Sequence, residues 1–149
     1  MAQDQLRDTL FYALEKSIKS YRQFAQARIS DAGVDITIDQ WLVLKTLQEN
    51  SDITLQQIAV MVFKDFASIT RIMHLLVAKG FVRRSKHPED GRRSSLTLTT
   101  AGEKTIRALQ PIIISNRRHA LRGIAPAEVA KAHTLLEGIV ANCQPRETA

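Results

Sequence analysis

The sequence predicts a mainly α protein carrying one small β wing, and three observations lead there. Apolar residues recur at helical spacing over most of the 149 residues, the signature of amphipathic helices. Capping patterns led by Thr or Asp precede several of these runs and mark where helices begin. One pair of short strand-like runs flanks a Pro-Glu-Asp-Gly turn, and positive charge gathers around it. Composition agrees: 44% of residues are hydrophobic but only 5% aromatic. The apolar content is thus mostly Leu, Ile, Val and Ala, enough for a substantial core.

The first helix is expected over residues 4–30, where Leu6, Leu10, Leu14 and Ile18 stand four apart, joined by Phe11, Tyr21, Phe24 and Ala25. Gly33 closes it. Thr37-Ile-Asp-Gln40 is a capping box that opens a short helix to about Gln48, with Trp41, Leu44 and Leu47 facing inward. Thr54-Leu-Gln-Gln57 repeats the device and opens a helix from Leu55 to Phe63. Asp65 caps the next, Phe66 to Lys79, which stops at Gly80 with apolar Phe81 beyond. Two short helices so closely joined have helix-turn-helix spacing.

Strands are expected at Val82–Lys86 and Ser94–Thr99, with Leu96 and Leu98 inward and Pro88-Glu-Asp-Gly91 as the turn. That hairpin is a wing. Thr100-Ala-Gly-Glu103 is read as a third capping box, starting a helix through Ile106, Leu109, Ile112 and Ile113 to about Leu121; Pro111 inside it should kink it. Pro126 suits the first position of a last helix with Val129, Leu136, Ile139 and Val140 as its stripe. The outcome is a single domain over 1–149, with a winged helix-turn-helix lobe at 34–100. Helices 4–30 and 101–142 carry more apolar surface than that lobe can cover, so they are assigned to homodimerisation.

Charge points to the partner. Seven cations (Arg71, Lys79, Arg83, Arg84, Lys86, Arg92, Arg93) lie between positions 71 and 93 against only Glu89 and Asp90, an excess of five in a chain whose net charge is +6. Such a concentration attracts a duplex phosphate backbone. On a helical wheel of Phe66–Lys79, Ile69, Ile72, Met73 and Leu76 share one arc. Ala67, Thr70, Arg71, His74 and Ala78 share the opposite one, with Ser68 at its edge. Small residues permit close approach to the major groove, Arg reads guanine, and Ser and Thr reach phosphates or base edges. His74 could touch DNA or stand idle. Leu75 lies off the apolar arc and is expected to pack on a neighbouring element. In the wing, Arg92 and Arg93 suit a narrow minor groove, and Asp90 is expected to hold an Arg by a charge-assisted hydrogen bond. The alternative for each face is an ordinary solvated surface.

These residues bring a family into view. Thr54-Leu-Gln-Gln-Ile-Ala59, Ser68-Ile-Thr-Arg71, Leu76 through Lys79-Gly-Phe-Val82, Arg84, Pro88-x-Asp90-x-Arg92 and Leu98-Thr99-x-x-Gly102 together resemble the MarR family of bacterial winged helix-turn-helix transcription factors. The resemblance runs from about residue 5 to 142. It implies a homodimer built from the first and last two helices, bound to a palindromic operator in double-stranded DNA. Ser68, Thr70 and Arg71 match major-groove positions, Arg92 the minor-groove Arg, and Asp90 its supporting acid. Members are commonly repressors released by small aromatic or phenolic ligands. Tyr12, Tyr21, Phe24, Trp41 and Ile112 are candidates for that pocket, and serve equally as core and dimer packing. The chain departs from the family after Arg71, where His74, Leu75, Val77 and Ala78 replace charged residues.

Other functions find less support. The longest apolar run, Ile58 to Phe63, is far short of the ~20 residues that span a bilayer. The polar opening Met1-Ala-Gln-Asp-Gln5 is no signal peptide. Cys143 is the only cysteine, which fits a reducing cytoplasm and leaves a redox role without support. His119, His133 and Cys143 lack the spacing of a metal site, and no cofactor is expected. There is no phosphate-binding Gly loop and no catalytic cluster, so an enzyme is not expected. The chief alternative is a winged-helix module for protein assembly.

Overall fold

The computed structural model describes residues 5–145. A 3-10 turn, Leu6–Asp8, precedes six α-helices and one hairpin: α1 (Leu10–Asp31), α2 (Ile38–Glu49), α3 (Leu55–Met61), α4 (Phe66–Ala78), β1 (Val82–Lys86), β2 (Ser94–Leu98), α5 (Thr100–Ala120) and α6 (Pro126–Asn142). The chain forms two compact units, Met1–Asn116 and Arg117–Ala149. The first holds the helix-turn-helix, the hairpin and the core. The second holds the end of α5 and α6, which buries none of its own residues.

Local signals set most boundaries. Thr37 and Thr54 each accept from the backbone N–H three residues on, while Gln40 and Gln57 reach back to the cap's own N–H. Both capping boxes therefore form. Asp65 accepts from the Ser68 N–H at 2.7 Å and opens α4. At the other end Gly80 takes φ +78, Gly80 N–H bonds the Val77 carbonyl and Phe81 N–H bonds that of Leu76. That is the Schellman closure, which needs a left-handed residue where glycine stands. In the hairpin Val82 pairs with Leu98 and Lys86 with Ser94, antiparallel.

Four expectations shift. The first helix begins at Leu10 on a Thr9 cap, because residues 6–8 form the 3-10 turn; residue 4 lies outside the described residues. Helix α3 stops at Met61, since Val62 leaves helical geometry and Phe63 adopts φ +60. The cap of α5 is Thr99, one residue before the box read from the sequence: its Oγ1 accepts from Gly102 N–H, so Glu103 has no reciprocal role. Leu75, expected to pack on a neighbouring element, is 51% exposed. Helix α5 continues through Pro111.

The core lies in the first unit. Trp41, Val43, Leu44 and Leu47 of α2, Ile58 of α3 and Ile69, Met73 and Leu76 of α4 pack with Val82, Leu109 and Ile113. Removing these side chains from water is the main force seating α4 against the lobe. An ionic cluster ties α1 to the helix-turn-helix: Asp39 accepts from Arg22 and pairs with Lys64 at 3.1 Å. Partial burial pushes the Asp39 carboxyl up, but the hydrogen bonds and charges of Arg22 and Lys64 outweigh it and hold the group below its usual range.

Candidate nucleic-acid interface

With Ile69, Met73 and Leu76 fully buried, the 3.6-residue period turns the opposite face of α4 outward. Ala67, Arg71, His74 and Ala78 are exposed, and Ser68 and Thr70 half-buried, as the sequence indicates. The start of the helix is internally wired. Asp65 accepts from Ser68 through both the amide (2.7 Å) and the hydroxyl (3.0 Å), and Ser68 Oγ in turn accepts from Arg71 Nη2 at 3.2 Å. The Asp65 carboxyl is held below its usual range by the Ser68 amide, then by the Ser68 hydroxyl, with the Arg71 charge adding to them. Its oxygens thus accept from the cap while its charge also acts on Arg71. Thr70 donates its hydroxyl to the Phe66 carbonyl at 2.9 Å.

The wing corrects two assignments. Asp90 does not grip a guanidinium: Oδ1 accepts from the Arg92 backbone N–H at 3.0 Å and its carbonyl from the Arg93 N–H at 3.2 Å. It shapes the turn by capping amides, a short-range arrangement typical of Asp. Arg93 is not a tip cation. Its Nη2 donates to Asp52 Oδ1 at 2.9 Å and to the Asp52 carbonyl at 3.1 Å, so the side chain is turned back onto the helix-turn-helix. Arg92 remains exposed, with no carboxylate within ion-pair distance among the described residues.

Sequence reasoning missed several residues. Asp52 also meets His87 Nε2 at 2.9 Å, while His87 Nδ1 accepts from the Glu89 and Asp90 amides at 3.1 and 3.0 Å. The only local signal was a His next to the Pro of a turn; nothing in the sequence marked Asp52. A cavity of about 420 Å³ opens between the start of α4 and the wing. Arg84, Arg92 and Arg93 line it with Thr54, Gln56 and Phe66, and no acidic residue does. Arg84 and Arg92, beside hydroxyl and amide donors, suit this recess to an anion such as a backbone phosphate, while Arg93 is held by Asp52.

The residues proposed for an effector differ in burial and in the element that carries them. Trp41 is 6% exposed and belongs to the core, and Ile112 packs against it. Tyr12 and Tyr21 are both on α1, but at 100° per residue nine positions place them on opposite sides. Phe24 lies under the Arg28 guanidinium at 5.4 Å. Among the described residues no group of His, Cys, Asp and Glu is placed to hold a metal ion. No described helix is long and apolar enough to cross a membrane.

Comparison with known proteins converges on this geometry. The MarR family model matches residues 36–94, which span the helix-turn-helix and the wing. The HTH-type transcriptional repressor IacR of Pseudomonas putida is 26% identical over 145 residues, covering 96% of this chain and 86% of that protein. Two solved structures share the fold. BpsR of Bordetella bronchiseptica, whose DNA binding is regulated by 6-hydroxynicotinic acid, has a TM-score of 0.85 at 21% identity, covering 93% of this chain and 98% of its own. A mutant MarR of Escherichia coli complexed with operator DNA has a TM-score of 0.82 at 22% identity, covering 92% and 99%. Over its helix-turn-helix and wing the chain is thus similar to the MarR family of regulators, and it shares the winged-helix fold of these solved structures.

Proposed function

We propose that the chain is a sequence-specific DNA-binding regulator that acts in the cytoplasm as a homodimer, repressing from a palindromic operator. One observation carries the reading: Arg71 and Arg92 stand exposed on the reading helix and the wing, while the acids nearest them in sequence, Asp65 and Asp90, are occupied with backbone amides. Cations outnumber acids seven to two between positions 71 and 93, so net positive potential is left where a duplex would lie. Arg71, with Ser68 and Thr70, is assigned to the major groove, and Arg92 to the minor groove. His74 is assigned to the edge of the same helix face. Arg93 and Asp90 are assigned to holding the wing.

The dimer is supported by apolar surface left open on both units. Leu10 and Phe11 of α1 are 50% and 61% exposed, and Leu135 and Val140 of α6 are 51% and 57% exposed. A second copy is the occupant that a palindrome requires, with half-sites about 34 Å apart. An aromatic or phenolic effector is proposed to bind beside Tyr21 and Phe24 and weaken DNA binding. BpsR answers to such a compound.

The test is fluorescence anisotropy with duplexes from the region upstream of its own gene. Binding to one palindrome with a Kd on the order of 10 nM is expected, weakening steeply with salt. Arg92→Ala should weaken binding to all sequences and reduce the salt slope by about one. Arg71→Ala should cost about 1–3 kcal/mol on the preferred palindrome and less elsewhere. Equal losses on every sequence would remove base reading by Arg71, and no binding to any upstream duplex would favour a protein-assembly role.

A further inference from the structure

We infer that Asp52, outside both the reading helix and the hairpin, positions the wing for DNA. The inference rests on the DNA-binding reading above and adds a residue that acts through Arg92. Asp52 lies between α2 and α3 with φ +53, a left-handed conformation that Asp adopts more readily than most residues. From there its Oδ1 takes hydrogen bonds from His87 Nε2 and Arg93 Nη2, both at 2.9 Å, and its carbonyl takes another from Arg93 at 3.1 Å.

The two partners close the neck of the wing loop, where His87 N–H donates to the Arg93 carbonyl at 3.2 Å. His87 Nδ1 accepts from the Glu89 and Asp90 amides. Its proton therefore sits on Nε2, directed at the Asp52 carboxylate. Asp90 then accepts from the Arg92 amide at 3.0 Å. A continuous run of hydrogen bonds thus leads from the helix-turn-helix through Asp52, His87 and Asp90 to the backbone of the tip cation. A two-stranded ribbon is barely stable alone, and this one is only five residues per strand. Tied to Asp52, it presents Arg92 at a set offset from α4, so less freedom is lost when DNA binds. The Asp52 side chain is 60% exposed, and exposed ion pairs contribute little to global stability. The clamp therefore acts on wing geometry more than on folding.

Asp52→Asn and Asp52→Gly both replace Asp with residues that accept positive φ, so the fold is retained. Operator binding should weaken about fivefold for Asn and about tenfold for Gly, the scale of one or two exposed charge-assisted contacts. In an Arg92→Ala background the same substitutions should change affinity less than about twofold, because the group they position is gone. In DNA-free protein, amide hydrogen exchange at residues 89–93 should rise while core amides stay unchanged. Losses that simply add to that of Arg92→Ala, or wing amides as protected as in the wild type, overturn the inference. If the wild-type protein binds no upstream duplex, the DNA reading fails on its own, and the exchange measurement still decides the clamp.

Discussion

Replacing Gly102 with alanine should destabilise the protein, although alanine normally favours a helix. Gly102 is the third residue of α5 and is buried. A Cβ placed there would stand 2.2 Å from the Phe81 carbonyl oxygen, 3.1 Å from its carbon and 3.3 Å from its Cα. Relief needs a movement of roughly 1 Å, and the obstacle is backbone held from both sides. The Phe81 carbonyl accepts from Thr99 N–H at 3.1 Å, its own N–H closes the α4 Schellman turn, and Val82 next to it is paired with Leu98. Overpacking of this kind costs about 1–3 kcal/mol or more, against which alanine recovers up to about 1 kcal/mol of helix propensity. With the obstacle immobile, the upper part of that range applies, and the net loss is about 2 kcal/mol. For a chain of 149 residues this lowers the melting midpoint by about 6–8 °C. The control is Gly138→Ala in α6, where the added Cβ meets nothing within 4 Å. It should gain about 0.5–1 kcal/mol; a loss there instead would locate the second copy on that face. Thermal unfolding followed by far-ultraviolet circular dichroism measures both. A Gly102→Ala protein melting at or above the wild type would refute the argument that α5 is seated hard against the base of the wing.

Asp39→Asn should cost about 1 kcal/mol, discounted for its partial exposure, by releasing Arg22 and Lys64. Because the folded Asp39 carboxyl lies below its ordinary 3.8, its contribution is present above that value and is lost as pH falls through the lowered one. An acid titration of the melting midpoint should therefore fall less steeply below 3.8 for the variant than for the wild type. Asp65→Ala should lower the midpoint by about 3 °C and weaken DNA binding, while Asp65→Ser, which retains a cap, should restore most of both. Phe11→Asp and Leu136→Asp each place a charge on an open apolar face, so sedimentation should show monomers that bind the palindrome at least tenfold more weakly.

Much of this molecule is legible in its sequence because the deciding interactions are short. The Thr37 and Thr54 boxes, the Asp65 cap and the Gly80 stop each join residues within five positions of one another, and all four form as read. The faces of α4 follow from its period, which is why Arg71 and His74 emerge exposed opposite Ile69, Met73 and Leu76. Adjacent threonines, by contrast, offer two equivalent caps for α5. Thr99 takes the role because its amide also bonds Phe81 across the wing, a choice that local propensity does not contain. The partner of Arg93 and the role of Asp52 escape the sequence for the same reason, whereas Asp90 caps amides only two and three positions away. Asp52 is separated from His87 by 35 residues and from Arg93 by 41. Only the packing of the hairpin beside the α2–α3 connection brings an acid to that neck and draws one of two neighbouring arginines away from the tip. Periodicity and capping chemistry thus specify which elements exist and which faces they bury. Pairings between distant polar side chains exist only once the hydrophobic core has set the elements side by side.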